Sequence, residues 1–180
     1  LASMCPAMPY TIAAKFAYPD RPAIGLIGDG AMQMLGINGL ITVAKYWKTW
    51  SSPTFIMLVL NNHDLNQVTW EQRVMNGDGR FDDAQDIMDF AYADYAKLLG
   101  LDGIKVTDPA AVPAAWDAAF ASNKPFVLDI HTDPAVPPLP PHIDFKQMKA
   151  FSTSLLKGDS DAWNMVKQTY KDMVDEYLPH

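Results

Sequence analysis

An aspartate between two glycines, Gly28-Asp29-Gly30, and a carboxamide pair, Asn61-Asn62, are the residues of this chain whose types and spacing suit shared chemistry. Asp29 follows the short apolar run Ala23-Ile24-Gly25-Leu26-Ile27, and Asn62 follows Phe55-Ile56-Met57-Leu58-Val59-Leu60, with a helical stretch between them. That β-turn-α-β pattern predicts parallel, neighbouring strands. Their carboxyl ends then share one sheet edge, where open α/β folds hold ligands. A carboxylate and a carboxamide are hard oxygen ligands, suited to Mg²⁺ carried on a phosphorylated substrate or cofactor. Glycines on both sides of Asp29 let backbone amides approach a diphosphate at the start of a helix. Each motif alone has a plainer reading, since aspartate caps helices and asparagine forms turns. Their convergence on one edge is what points to a metal-diphosphate.

The elements that must position this pair follow from pattern. A helix is expected over Pro6–Tyr18, ended by Pro19, and another around Ile37–Tyr46, with Ile37, Leu40, Ile41 and Ala44 at helical spacing. Trp47 to Pro53 reads as a polar loop leading into strand Thr54–Asn61. The stretch from His63 to Asp82 is broken by Asn76-Gly77-Asp78-Gly79 and reads as a long loop or a short, irregular helix. Asp86–Leu99 is predicted as a helix, with Ile87, Phe90, Ala91, Tyr95 and Leu98 on one face and Gly100 as its stop. Strand Ile104–Val106 precedes Asp108-Pro109, an N-cap followed by proline at the first helical position, and strand Phe126–Ile130 follows that helix. Strands alternating with helices imply an α/β fold, a three-layer sandwich with a mainly parallel sheet and helices on both faces. The proline-rich stretch 133–143 reads as an extended connector, and residues 144–180 as a C-terminal helical extension packing on domain 1–132 or on a partner subunit.

At 180 residues and 49% hydrophobic content, the chain has enough apolar material for a well-buried core. A net charge of −7 argues against nucleic acid, whose phosphates select basic surfaces. One cysteine allows no internal disulfide, so a reducing, cytoplasmic setting is the simplest expectation. No apolar run reaches the roughly 20 residues of a membrane-spanning helix. The opening Leu1-Ala2-Ser3-Met4-Cys5-Pro6 has neither an initiator methionine nor a signal-peptide pattern, so the chain reads as part of a longer protein.

Gly28-Asp29-Gly30 followed by Asn61-Asn62 resembles the diphosphate-binding motif of thiamine diphosphate enzymes. The likeness runs along nearly the whole chain. Leu1-Ala2-Ser3-Met4 with Pro9-Tyr10-Thr11-Ile12-Ala13-Ala14-Lys15 looks like the segment preceding the motif in the acetolactate synthase and pyruvate oxidase group, and Asn61-Asn62-His63-Asp64-Leu65-Asn66-Gln67-Val68 resembles the loop after it. Pro140-Pro141-His142-Ile143 is similar to the tail of the pyruvate oxidase branch, which includes quinone-linked pyruvate dehydrogenase. The resemblance implies that the side chains of Asp29 and Asn62 ligate Mg²⁺ together with the backbone carbonyl of Asp64. It implies that Gly30 and Ala31 offer amides to the diphosphate, that Gly28 and Leu65 belong to the same cofactor-binding set, and that Met4 wedges beneath the thiazolium to bend the cofactor. It also implies a decarboxylating enzyme acting on a pyruvate-like 2-oxo acid, built as a homodimer or homotetramer with cofactor between domains. The proton-relay glutamate then belongs to a different domain, and a middle domain carries FAD in some members, so this segment alone binds no flavin and turns nothing over. The alternatives are a non-redox carboligase or lyase of the same superfamily, or a cofactor-binding or assembly module without turnover.

Two departures bear on the site. About thirty residues separate Gly30 from Asn61, more than the family usually shows, and the excess fits the Tyr46–Ser52 loop. Cys5 stands where relatives usually have glycine and reads as a small buried residue. His63, His131, His142 and His180 show no metal-ligand spacing and read as surface or loop residues, although His63 neighbours the metal candidates. Gln67 and Trp70 are candidates for the mouth of the site or for loop packing. Asp82, Asp83 and Asp86 read as helix-start charges. The stripe Trp163, Val166, Tyr170, Met173 and Tyr177 reads as an intersubunit or intradomain packing face rather than a membrane anchor, because the charges of residues 159–180 are mainly acidic.

Overall fold

The computed structural model describes residues 3–136 and 145–168. In chain order these form α1 (Ala7–Ala17), β1 (Ala23–Gly28), α2 (Asp29–Ala31), α3 (Ile37–Tyr46), β2 (Phe55–Asn61), α4 (Asn66–Glu71), α5 (Asp82–Gln85), α6 (Tyr92–Leu98), β3 (Asp102–Val106), α7 (Val112–Ala121), β4 (Phe126–His131) and α8 (Phe145–Leu156). They fall into two compact units, Leu1–Asn62 with Met88–Thr132, and His63–Ile87 with Asp133–His180. The sequence division at residue 132 groups 63–87 with the sheet, whereas these residues cluster with the C-terminal part.

The first unit is an α/β sandwich. Its four strands are all parallel, in the order β1-β2-β4-β3. β1 and β2 are neighbours, as the β-turn-α-β pattern requires, with Ile27 opposite Val59 and Gly28 opposite Leu60. Because strand side chains alternate, β2 supplies both layers. Phe55, Met57 and Val59 join Met8 of α1, Leu40 and Val43 of α3, and Tyr92 and Ala96 of α6. Ile56 and Leu58 join Ala115 and Ala119 of α7 on the opposite face. A side chain at Gly39 would collide with Met8, so glycine there lets α1 and α3 approach closely.

The loop that lengthens the β1–β2 connection is tied down from within. Lys15 is fully buried, and its Nζ donates to the carbonyls of Pro19 (3.2 Å), Arg21 (2.7 Å) and Ser52 (2.9 Å) while lying 5.4 Å from the centre of the Trp50 ring. Burial holds this ammonium below the ordinary lysine range, with Asp20 pulling the other way. The extra residues thus leave the strand register intact.

Three expectations need correction. The helix expected to start near Ile37 starts at Asp29 and reaches Tyr46 through a π-helical turn, Met32–Gly36. The helix expected over Asp86–Leu99 is only Tyr92–Leu98, and Leu98 is 81% exposed rather than on an apolar face. Asp86 is extended and bridges Asp64, and the Ile87 amide donates to His63 O at 2.9 Å, so local pairing outcompetes helical periodicity there. Asp86 is accordingly not a helix-start charge, whereas Asp82 and Asp83 do occupy the first turn of α5. Asp108 caps as expected, its side chain accepting from the Ala110 amide at 3.0 Å, and Gly100 takes the left-handed conformation (φ +80°) after α6.

The second unit is built around charge. Arg73 is 1% exposed; its Nε and Nη2 donate to the two carboxyl oxygens of Asp159 at 2.8 and 2.9 Å, and Nη2 reaches Asp161 at 2.8 Å. The guanidinium lies 4.9 Å from the centre of the Trp70 ring, which stacks on Phe151 of α8. Burial pushes Asp159 up, but Arg73 and the Asp161 and Arg80 amides outweigh it and hold the carboxyl below the usual range. Residues 162–168 are helical, with Met165 buried, Trp163 78% exposed and Val166 48% exposed. The described part of the expected packing stripe therefore faces outward, and Met165 is the residue that packs. Tyr170, Met173, Tyr177 and most of the proline connector, including Pro140 to Ile143, lie outside the described residues.

Candidate functional site

Parallel pairing of β1 and β2 ends both strands at one edge, and there Asp29 and Asn62 meet. Asp29 is 2% exposed. Its Oδ2 accepts the Asn62 amide at 3.0 Å and its Oδ1 accepts the Gly30 amide at 2.8 Å. Two N–H donors from two strand ends suit a carboxylate and fix its orientation. The Gly30 amide, expected to face a diphosphate, thus also serves Asp29. Gly30 and Ala31 are buried, while Gly28 is exposed with no atom within 4 Å of where a side chain would begin.

The helix beginning at Asp29 carries its own support. Tyr92 Oη donates to the Asp29 carbonyl at 3.3 Å, and Gln33 Nε2 donates to Tyr92 Oη (3.0 Å) and to the Met88 carbonyl (2.6 Å). Burial foremost pushes the Tyr92 phenol up to about 12; the Gln33 bond acts against it and the nearby Asp29, Asp129 and Asp89 act with it. The phenol is therefore a neutral donor at any physiological pH. Gln33 sits in the π-helical turn, a feature that recurs at functional sites.

Met4, the expected wedge, is 42% exposed ahead of α1. Cys5 beside it has φ +69°, a left-handed backbone that glycine adopts freely and other residues adopt at a cost. A glycine at this position would adopt the same conformation without that cost. Cys5 is half-buried against the first unit's core rather than fully buried.

Asp64 and Leu65 belong to the second unit. Asp64 Oδ1 accepts from Thr69 Oγ1 (3.1 Å) and Arg80 Nε (3.0 Å), and Oδ2 from Asn66 Nδ2 (3.3 Å). Its carboxylate is thus engaged by three donors. The Leu65 amide donates to Gln85 O at 2.8 Å. Trp70 is buried and donates to Pro134 O at 3.3 Å, so it follows the packing reading, whereas Gln67 is exposed and bonds Glu71 of the same helix. His63 has φ +59° in its loop, whereas His131 ends β4 and is not a loop residue. Of the three metal candidates, the structure brings Asp29 and Asn62 together. Sequence reasoning missed Tyr92, Gln33 and Asp129; only Asp129 left a signal, a lone charge inside the apolar run Phe126–Ile130.

A parallel α/β sheet with a buried carboxylate and a carboxamide at adjoining strand ends defines a class of open α/β domains that bind ligands at that edge. Within that class the chain belongs to the family of C-terminal thiamine pyrophosphate (thiamine diphosphate) binding domains of thiamine pyrophosphate enzymes, whose model matches residues 1–130. It is 34% identical over 158 residues to YdaP of Bacillus subtilis (strain 168), a protein named as thiamine pyrophosphate-containing, with 88% of this chain and 26% of that protein covered. It is 30% identical over 147 residues to an acetolactate synthase large subunit of Parasynechococcus marenigrum (strain WH8102), covering 77% of this chain and 22% of the subunit. A solved thiamine diphosphate-dependent 4-hydroxybenzoylformate decarboxylase of Rhodococcus jostii RHA1 superposes with a TM-score of 0.61 at 25% identity, over 72% of this chain and 23% of that one. The chain thus spans about a quarter of the length of these relatives. Among the described residues no helix is long and apolar enough to cross a membrane.

Proposed function

We propose that the side-chain oxygens of Asp29 and Asn62 share one Mg²⁺ ion and through it hold the diphosphate of thiamine diphosphate. The observation that carries this reading is the Asn62 amide bond to Asp29 Oδ2 at 3.0 Å, which brings the two residues together at neighbouring strand ends. The donor set fits the ion, because hard oxygens from a carboxylate and a carboxamide match Mg²⁺. A helix beginning at Asp29 adds a favourable dipole for the diphosphate. Tyr92 and Gln33 hold the first turn of that helix, and Met4 remains exposed enough to meet the thiazolium.

The complete enzyme decarboxylates a 2-oxo acid of the pyruvate type. When bound, the cofactor supplies the carbanion stabilisation this step needs. Acetolactate synthases and a 4-hydroxybenzoylformate decarboxylase among the relatives favour this substrate class, since 4-hydroxybenzoylformate is itself a 2-oxo acid. This chain contributes the metal-diphosphate end, and a partner domain supplies the proton-relay glutamate. Mixing the chain with a separately produced glutamate-bearing domain, Mg²⁺ and thiamine diphosphate should restore pyruvate-dependent release of carbon dioxide. Cofactor uptake without turnover on any 2-oxo acid tried would favour an assembly module instead.

A further inference from the structure

Asn61 of β2 and Asp129 of β4 lie diagonally across paired strands, Asn61 standing opposite His131 and Asp129 opposite Val59, at 1% and 0% exposure. Asn61 Nδ2 donates to Asp129 Oδ1 at 3.0 Å and lies 3.3 Å from His131 Nε2. The second oxygen of each group, Asn61 Oδ1 and Asp129 Oδ2, is buried and has no hydrogen-bond partner among the described residues. Ionised, Asp129 would keep a buried oxygen without a donor, and the amide bonded to its other oxygen has a buried acceptor equally unsatisfied, a combination that interiors avoid. His131 does not relieve it: Nε2 is 3.8 Å from Asp129 Oδ1 and faces an amide N–H, which can only donate. Turning the amide over changes nothing, since Asn61 Oδ1 would then stand 3.0 Å from a carboxyl oxygen and again require a proton between them.

We infer that Asp129 is a protonated acid whose Oδ2 donates to Asn61 Oδ1, closing a carboxylic acid–carboxamide ring that positions the Asn61–Asn62 turn. One proton satisfies both orphaned oxygens. The ring adds to a main-chain clasp, the Thr132 amide donating to Asn61 O at 2.9 Å, so the end of β2 is held to the end of β4 just before Asn62 reaches Asp29. Asp129 is then a positioning residue for Asn62, and that functional consequence rests on the metal reading above. The surroundings agree. Burial pushes the Asp129 acid up, Asp89 adds to this, and the Asn61 bond, His131 and Lys105 oppose it without prevailing. Asp129 also lies near enough to Tyr92 of α6, a neutral phenol, to help push that group up.

Asp129→Asn replaces the acid O–H with an amide N–H and preserves the ring, whereas Asp129→Ala removes it. At neutral pH the wild type should show the infrared carbonyl stretch of a protonated carboxylic acid, and Asp129→Asn should lose that band. Amide hydrogen exchange at Asn62 should stay within about twofold of wild type in Asp129→Asn and speed up about tenfold or more in Asp129→Ala, with Met57 in mid-strand unchanged. A wild type without the band, an Asp129→Asn variant as exposed at Asn62 as Asp129→Ala, or Asn62 protection indifferent to both substitutions would overturn the inference. If Asp129→Ala does not fold, the band and the Asp129→Asn exchange still decide it. Neither readout uses cofactor or metal, so failure of the metal reading would register separately, as a wild type that takes up no Mg²⁺ with thiamine diphosphate.

Discussion

The two units solve the same problem, an interior sealed from water, with opposite materials. The sheet unit buries apolar side chains in two layers and admits polar groups mainly toward the carboxyl ends of its strands, with Asp29 and Asn61 at the tips of β1 and β2 and Asp129 two residues before the end of β4. The second unit places a guanidinium at its centre, clamped by two carboxylates and roofed by Trp70. Apolar burial is non-directional and tolerates repacking, while a buried ion pair holds only while both partners are present. The sheet should therefore be robust and the second unit all-or-none. Their buried aspartates also shift in opposite directions, burial pushing Asp129 up while Arg73 and backbone amides hold Asp159 down.

Arg73→Ala should break the contrast most severely. It strands the Asp159 carboxylate and should cost about 3–5 kcal/mol, read as lost amide protection along α8. Met57→Ala, a cavity in the sheet layer, should cost about 2–5 kcal/mol and register in β1, β2 and β4. Loss of protection spread equally over all elements in both variants would show that the two interiors are not distinct. Acid should separate them further. Asp159 has a depressed folded pKa, so its stabilisation is complete above the ordinary aspartate range, about 4, and disappears as pH falls through the folded value. Asp129 has a raised one, so its contribution is greatest below about 4 and is lost as pH rises through the folded value. Exchange followed from neutral pH downward should open α8 before β2, and Asp129→Asn should gain stability over wild type as pH rises. The smallest effect is expected at Cys5. Glycine there relieves a left-handed strain of about 1–2 kcal/mol but adds about 0.5–1 kcal/mol of unfolded-state freedom, so a urea midpoint should rise only slightly.

Much of the sheet unit was legible because its signals are local. Alternating strands and helices, the Asp108-Pro109 cap and the Gly100 stop are all decided within a few residues, and the βαβ rule then makes Asp29 and Asn62 neighbours. The second unit was not legible. Arg73 and Asp159 are 86 residues apart, and nothing in either neighbourhood announces a pair at that range. The apolar periodicity of Ile87, Phe90 and Ala91 suggested a helix that the Asp64–Asp86 bridge forestalls. Lys15 and Asp129 stand within largely apolar stretches, and nothing local names the distant carbonyls or carboxamide that receive each of them in the interior.

The sharing of one divalent ion by Asp29 and Asn62 is tested most directly by adding Mn²⁺ with thiamine diphosphate and following backbone amide signals. Paramagnetic broadening should strike Gly30 and Asn62 first, and Asp29→Ala and Asn62→Ala should each abolish it. Broadening centred elsewhere, or surviving either substitution, would contradict the account.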